Sequence, residues 1–235
     1  MFDWLIDPLS YSFILRALIA AVVVGVVGSV LGTYVILRGM AFFGDALAHT
    51  ILPGVVLAFL FGWPLAVGAL IMGVITAVGI GALSNQGVVK EDTAIGVIFA
   101  GFFALGVVML SATGSYTVDL THFLFGNLLG VSVADLWVTI GLGTLVLVVI
   151  FAFYKEFLVI SFDPVLATTL RLPRNFLSYL LLLLIALTIV VSLQVVGIAL
   201  MMAMLVTPAA AASLLTRRLP TMMLAAAVIG VFSSV

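Results

Sequence analysis

The sequence contains no cysteine and very few charged residues. Among its 235 residues, 7% are Asp, Glu, Lys or Arg and 66% are hydrophobic. The absence of cysteine excludes a disulfide framework, thiol chemistry and cysteine metal ligands. Because a soluble domain carries roughly 25% charged residues, this chain cannot cover a water-facing surface with polar groups. The composition therefore excludes a water-soluble globule.

Several signatures of catalysis and nucleic-acid binding are also missing. The sequence has no GxxxxGKS or GxxxxGKT phosphate loop, no HExxH zinc motif and no GxSxG nucleophile turn. The net charge is −1, which gives no reason to expect a nucleic-acid partner. We therefore expect a chain that is not an enzyme and that holds no permanently bound cofactor.

Long uncharged stretches separate the few charges. A membrane-spanning helix needs about 20 apolar residues. The uncharged intervals 17–37, 46–89, 93–118, 136–154 and 175–216 therefore have room for one, two, one, one and two helices. We predict an all-α, polytopic membrane protein with about eight transmembrane helices, forming one domain over residues 1–235. The predicted helices are 14–37, 40–61, 65–84, 93–112, 136–154, 176–193, 197–215 and 221 onward.

Turn signals and the last apolar stretch complete this outline. Gly62, Trp63 and Pro64 predict a tight hairpin between the second and third helices. The polar run 192–194 predicts the turn between the sixth and seventh helices. The final helix would have about 15 residues and a length of roughly 22 Å, too short to cross a bilayer. We expect this last helix to be incomplete at residue 235.

The basic residues predict the orientation of the chain in the membrane. With the N-terminus outside, seven of the eight Lys and Arg residues fall in cytoplasmic loops. Basic residues favour the cytoplasmic side, and the opposite orientation would put these seven outside. We therefore expect an extracytoplasmic N-terminus. The seven residues are Arg38, Lys90, Lys155, Arg171, Arg174, Arg217 and Arg218.

A semi-polar segment, 113–135, is predicted on the extracytoplasmic side. It fits either a short helix at the outer interface or a packed extracellular turn. Asp119 and His122 lie in it, three residues apart. They are candidate metal donors at the outer mouth of a pathway, although the simpler interpretation, ordinary interfacial polar residues, is favoured.

A second segment, 161–174, is predicted to hold a short cytoplasmic helix. Asp163 followed by proline is typical of the start of a helix. Leu166 and Leu170 belong to an apolar stripe over about two turns of that helix. The residues leave two interpretations open: the helix lies on lipid headgroups, with Arg171 near phosphate, or it docks a soluble partner.

An acidic residue and a histidine lie together inside the second predicted helix. Asp45 and His49 are four residues apart, so their side chains share one helical face. An ionisable group within the membrane costs roughly 2.5–3.5 kcal/mol on insertion scales and commonly marks a function. Carboxylate and imidazole suit Mn²⁺, Fe²⁺ or Zn²⁺ better than Cu⁺. Two donors are few for a metal ion, but a symmetric dimer would supply four.

The alternative for this pair is structural. Asp45 lies only about two turns from Arg38 and could be a partly solvated residue near a helix end. His49 could donate a hydrogen bond to a neighbouring helix.

These residues accompany a resemblance to a known family. The segments 37–59, 90–107, 119–131, 161–181 and 195–219 resemble the permease subunits of bacterial ABC importers for manganese, zinc and iron, the ABC-3 family. The resemblance extends over essentially the whole chain. The KEDTAIG and HFLFGN motifs resemble the manganese branch most.

The resemblance implies a fold like that of type II ABC importers, in the bacterial plasma membrane. It implies a homodimer with the pathway along its two-fold axis, two cytoplasmic ATP-binding subunits and an extracytoplasmic metal-binding protein. Asp45 and His49 match the intramembrane metal motif, and residues 163–172 match the coupling helix. The transported ion would be Mn²⁺, with Zn²⁺ or Fe²⁺ as alternatives, and the partner subunit would bind ATP. The alternative function is a gradient-driven metal transporter or channel.

Overall fold

Long apolar helices make up the structure, a computed structural model that describes residues 11–85, 89–113, 126 and 130–234. Six stretches of the described chain are long and apolar enough to cross a membrane, and two shorter apolar helices follow them. The prediction of an all-α, polytopic membrane protein is confirmed. The helices are α1 (Ser12–Leu37), α2 (Phe43–Thr50), α3 (Leu52–Phe61), α4 (Leu65–Asn85), α5 (Glu91–Thr113), α6 (Val133–Ala152), α7 (Tyr154–Phe162), α8 (Pro164–Thr169), α9 (Arg174–Leu215) and α10 (Leu219–Ser234).

The centre of the bundle is formed by α1 and α9. These helices pack along each other, α10 packs on α1, and α4 packs on α9. Small residues allow such contacts in membranes; for example, a Cβ atom on Gly54 of α3 would lie 2.2 Å from the Gly68 carbonyl oxygen of α4. By contrast, α5 and α6 are peripheral and expose most of their side chains. Within one chain these two helices therefore face outward.

The predicted hairpin between the second and third spans is confirmed. Gly62 ends α3 in the left-handed conformation, with φ of 68°, and the Trp63 N–H donates to the Ala58 carbonyl at 2.8 Å. Only glycine adopts this conformation at no steric cost. The chain then enters α4 directly after Pro64.

The predicted turn at 192–194 is wrong. Residues 192–194 are helical, and the break in α9 comes at Gly197, where φ is 78° and ψ is 173°. Polar side chains do not interrupt a helix whose backbone bonds are made, whereas these dihedral angles belong to a region that is essentially restricted to glycine. A Cβ atom on Gly126 would lie 2.3 Å from the Gly197 nitrogen, so Gly126 approaches the backbone of α9 closely at this break.

Candidate metal site and docking segment

The acid–imidazole pair lies at the start of the second span. His49 Nε2 and Asp45 Oδ1 are 3.6 Å apart, which is beyond normal hydrogen-bond distance, and their side chains are 36% and 39% exposed. The two residues therefore share one face of α2, as their spacing predicts. Asp45 lies in the first turn of α2, where the helix N-terminus favours a negative charge. In the span Phe43–Phe61, Asp45 and His49 are therefore the third and seventh residues, close to one end.

A break in the second span follows the pair directly. Helix α2 ends at Thr50, Ile51 stands between the helices, and α3 begins at Leu52 with Pro53 in its first turn. A proline lacks the N–H that a continuous helix would need there. Asp45 and His49 therefore lie in the first part of a span whose helix is interrupted at Ile51.

Close packing holds α2 against α9. A Cβ atom on Gly44 would lie 2.7 Å from the sulfur of Met202, so α2 packs closely on the side chains of α9 at this glycine. Phe43 and Leu47 are fully buried on the same side of α2. One face of α2 is thereby fixed in the core, which leaves Asp45 and His49 on the partly exposed face.

An aromatic cluster from α5 surrounds the histidine, and sequence reasoning missed it. The ring of His49 makes edge-on contacts with Phe99 and Phe103, at centroid distances of 6.1 and 5.5 Å. These two phenylalanines stack on each other at 5.5 Å with an angle of 7°. Phe42 also contacts Phe99 at 5.5 Å. The cluster limits the orientations that the imidazole can take. The FAGFF run that supplies both rings was the available signal.

The described part of one chain brings no further strong metal donor to the pair. Within it, no group of three or more His, Cys, Asp or Glu side chains is close enough to hold a metal ion. Asp119 and His122, the candidate donors of the outer mouth, lie outside the described residues. The described residues of one chain therefore offer two donors at this place.

The segment 163–172 contains the short helix α8. The Asp163 carboxylate accepts hydrogen bonds from the Val165 and Leu166 N–H groups at 3.0 and 2.9 Å, as the Asp–Pro signal predicts. Leu166 and Leu170 are 44% and 54% exposed. Arg171 is exposed in a left-handed turn, with φ of 55°. The segment thus presents leucine side chains beside an arginine, outside the helical bundle.

Comparison with known proteins bears on the class of this molecule. The model of the ABC 3 transport family matches residues 10–235. The chain is 51% identical over 227 residues to the manganese transport system membrane protein MntC of Halalkalibacterium halodurans, covering 97% of this chain and 78% of that protein. It is 42% identical over 235 residues to the chelated iron transport system membrane protein YfeD of Yersinia pestis, covering 100% of this chain and 79% of that protein.

A solved structure agrees with these sequence matches. The chain superposes on PsaBC from Streptococcus pneumoniae, solved in complex with Fab, with a TM-score of 0.83 and 40% identity. The match covers 99% of this chain and 84% of that chain. Fold and site define a polytopic helical membrane protein with a carboxylate–imidazole pair in one span. The chain belongs to the ABC 3 transport family. It is a permease of that family, a multi-pass protein of the bacterial plasma membrane, and the resemblance is confirmed.

Proposed function

We propose that this chain is the permease subunit of an ATP-driven importer that moves a divalent transition-metal ion into the cytoplasm. Mn²⁺ is the favoured ion, and Zn²⁺ and Fe²⁺ are the alternatives. The observation that carries the proposal is the Asp45–His49 pair on one face of a membrane span. The manganese and iron transport systems of the relatives support the same class of ion.

The separation of the two donor atoms suits a metal ion between them. The two donor atoms are 3.6 Å apart. If an ion lay about 2.1 Å from each of them, the angle between the two metal–ligand bonds would be roughly 120°. That angle is close to the tetrahedral value and leaves further coordination positions open. Intrinsic affinity favours Zn²⁺ over Mn²⁺ at such donors. In our proposal, selection for Mn²⁺ therefore takes place mainly in the extracytoplasmic metal-binding protein that delivers the ion.

A second copy of the chain completes the site in this proposal. A two-fold axis beside α2 would double the donors from two to four. The pair is more than one-third exposed in a single chain, and facing hydrocarbon would be costly. The neighbouring face of α5 is apolar and exposed at Val97, Leu105 and Val108, which gives a homodimer surface to bury. Four donors completed by water would release the ion readily, as conduction requires.

Residues 163–172, which we call the docking segment, are proposed to contact the ATP-binding subunits. An amphipathic helix commonly binds a partner by placing its apolar side chains in a groove. Leu166 and Leu170 are the anchors in this case, and Arg171 lies at the edge of the contact. Two separate cytoplasmic subunits would hydrolyse ATP, so this chain has no catalytic role. Membership of an ABC family supports this assignment over the gradient-driven alternative, which has no use for a docking segment.

The test is uptake of Mn²⁺ into proteoliposomes by the permease reconstituted with its ATP-binding subunits and delivery protein, in competition with Zn²⁺ and Fe²⁺. Asp45→Asn keeps the shape and removes the charge, and His49→Ala removes the imidazole. Each change should lower ATP-dependent uptake on the order of tenfold or more, since even residues that only support metal ligands contribute 10- to 100-fold. Expression and membrane insertion should be unchanged.

Thr50→Val provides a matched control on the same helix. Thr50 is buried and its hydroxyl donates only to the Leu47 carbonyl, at 3.1 Å, on the side of α2 away from solvent. Uptake by this variant should stay near that of the unaltered protein. Normal uptake by both Asp45→Asn and His49→Ala would show that the ion crosses elsewhere. Uptake that persists without ATP or without the ATP-binding subunits would instead support a gradient-driven transporter.

A further inference from the structure

A buried contact around Arg38 joins three helices near the docking segment. The Arg38 side chain is 9% exposed, and it directly follows α1. Its Nε donates to Glu91 Oε2 at 3.2 Å, and its Nη2 donates to Glu91 Oε1 and to Ser178 Oγ, the latter at 2.8 Å. A paired arginine and carboxylate bind more strongly and with more defined geometry than neutral groups. The end of α1 is therefore tied to the first residue of α5 and to the second turn of α9.

The docking segment is connected closely to this contact. Only Pro173 separates its last residue, Leu172, from the start of α9 at Arg174, and Ser178 lies four residues further on. The Leu172 N–H donates to the Ala167 carbonyl at 3.0 Å, which makes the connection short and ordered. A displacement of the docking segment therefore moves the turn of α9 that carries Ser178.

Helix α5 connects the Arg38–Glu91 contact to Asp45 and His49, which we call the metal pair. Glu91 is the first residue of α5, and Phe99 and Phe103 follow on the same helix, about 12 and 18 Å along its axis. Both rings contact the imidazole of His49. Helix α5 contains no proline, so a movement of its first turn displaces the rings with it.

The contact has room to change its arrangement. A cavity of about 330 Å³ lies beside it, lined among others by Arg38, Glu91, Ser161 and Ser178. The Nη1 of Arg38 and the hydroxyl of Ser161 are both buried without a hydrogen-bond partner. Ser161 lies two residues before Asp163, on the other side of the docking segment from Ser178. The free Nη1 of Arg38 and the free hydroxyl of Ser161 could form a hydrogen bond in a second arrangement of these side chains, and the cavity gives them the space to do so.

We propose that α5 transmits movement of the docking segment to the metal pair. Ser178 binds Arg38, Arg38 holds Glu91, the first residue of α5, and Phe99 and Phe103 contact the imidazole of His49. Arg38 and Glu91 act as positioning residues that touch neither the ion nor the ATP-binding subunit. This inference rests on the proposed function, because it requires the pair to be the metal site and residues 163–172 to be the docking segment. It predicts that breaking the Arg38–Glu91 contact separates ATP hydrolysis from uptake.

The experiment measures ATP hydrolysed per Mn²⁺ ion taken up, with the complete reconstituted transporter. Glu91→Gln keeps the size of the side chain and removes the charge that Arg38 binds. We expect hydrolysis to continue and the ratio of ATP to Mn²⁺ to rise about tenfold, which is within the usual range for coupling between two sites. Glu91→Asp keeps the charge and should restore part of the coupling. A purely structural role would lower hydrolysis and uptake together and leave the ratio unchanged.

A double-mutant cycle tests whether Glu91 and Phe103 act on the same route. Phe103→Leu removes the ring that contacts His49 and should also raise the ratio. If α5 carries the signal, the double variant should be no worse than the more severe single variant, whereas independent effects would multiply. Asp92→Asn is the matched control, because Asp92 is an exposed acid in the same first turn of α5. Its ratio should equal that of the unaltered protein.

The outcomes separate this inference from the proposed function. If Asp45→Asn and His49→Ala abolish uptake while Glu91→Gln keeps the normal ratio, the route through α5 is wrong and the metal site stands. If those two variants transport normally, the metal assignment itself fails. If Glu91→Gln does not fold, Phe103→Leu still decides the matter: a normal ratio in this variant overturns the inference.

Discussion

Asp163→Ala tests whether the helical shape of the docking segment is needed for coupling, in addition to its apolar side chains. Helix α8 has only six residues, Pro164–Thr169, and a helix of this length has little stability of its own in water. One carboxylate oxygen of Asp163 accepts hydrogen bonds from both Val165 and Leu166. Alanine removes both bonds together. The exposed first turn of α8 then has only water as a partner.

The loss of helix stability caused by Asp163→Ala follows from the two hydrogen bonds that Asp163 accepts. Loss of an N-cap destabilises a helix by about 1 kcal/mol in typical cases and up to about 2 kcal/mol. The N–H groups of Val165 and Leu166 have no partner within the helix, and both bind Asp163. We therefore expect a cost of about 1–2 kcal/mol. One to two kcal/mol corresponds to a factor of about 5–30 in the ratio of ordered to disordered segment. The affinity of the ATP-binding subunit, measured by titration into permease nanodiscs, should fall by a comparable factor.

Two comparisons make the result specific. Asp163→Asn retains a good N-cap and should bind the subunit almost normally. Ser132→Ala removes a cap of similar strength from α6, where Ser132 and Asp135 form a capping box, and it should leave the affinity unchanged. The double change Leu166→Asp and Leu170→Asp should abolish coupled hydrolysis while the permease still inserts. Normal affinity in both Asp163→Ala and this double variant would refute docking through this segment.

Two further predictions concern topology and the break in α9. The chain has no cysteine, so single introduced cysteines can be labelled specifically. Arg217→Cys should react with an impermeant maleimide only from the cytoplasm, and Ser115→Cys only from outside. The reverse pattern would overturn the orientation predicted from the basic residues. Gly197→Ala places a side chain on a backbone conformation that costs a non-glycine residue on the order of 1–3 kcal/mol, so the melting temperature in detergent should fall. Gly141→Ala is the control, because Gly141 is helical with open space around it, and it should leave the melting temperature unchanged. An unaltered melting temperature for Gly197→Ala would mean that the break relaxes without cost.

Charge-free intervals predicted the spans well, and the errors at the starts of the fourth and fifth spans share one physical cause. The third span is predicted at 65–84 and found at Leu65–Asn85. The fourth is predicted to start at residue 93 and starts at Glu91, because acidic residues in a first turn favour a helix N-terminus. The fifth begins at Val133, since Ser132 and Asp135 form its capping box. A search for uncharged intervals ends each predicted helix at the nearest charged residue. It therefore leaves out the acidic residues that stabilise the first turn of a helix.

The site was predictable only as far as local spacing reaches. Asp45 and His49 share a face because they are four residues apart on one helix, and the sequence alone predicts that. Their contact with Phe99 and Phe103 depends on how α5 packs against α2, and no periodicity contains that information. The same applies to Arg38, whose partner Glu91 is 53 residues away. The family resemblance indicated these two residues as candidate donors, but only the packing shows which side chains surround them.

Two pairs of ionisable side chains in the described part of this apolar chain differ in a way that bears on function. Arg38 and Glu91 are 9% and 23% exposed and bound directly to each other, with Ser178 accepting a further hydrogen bond. Asp45 and His49 are 39% and 36% exposed and lie 3.6 Å apart, too far for a hydrogen bond. A charge in a membrane is tolerated when it has a partner or faces water. The chain itself supplies the partner for Arg38, whereas Asp45 and His49 require an ion, water or a second copy of the chain. The first pair is therefore suited to holding helices together, and the second to binding something that passes.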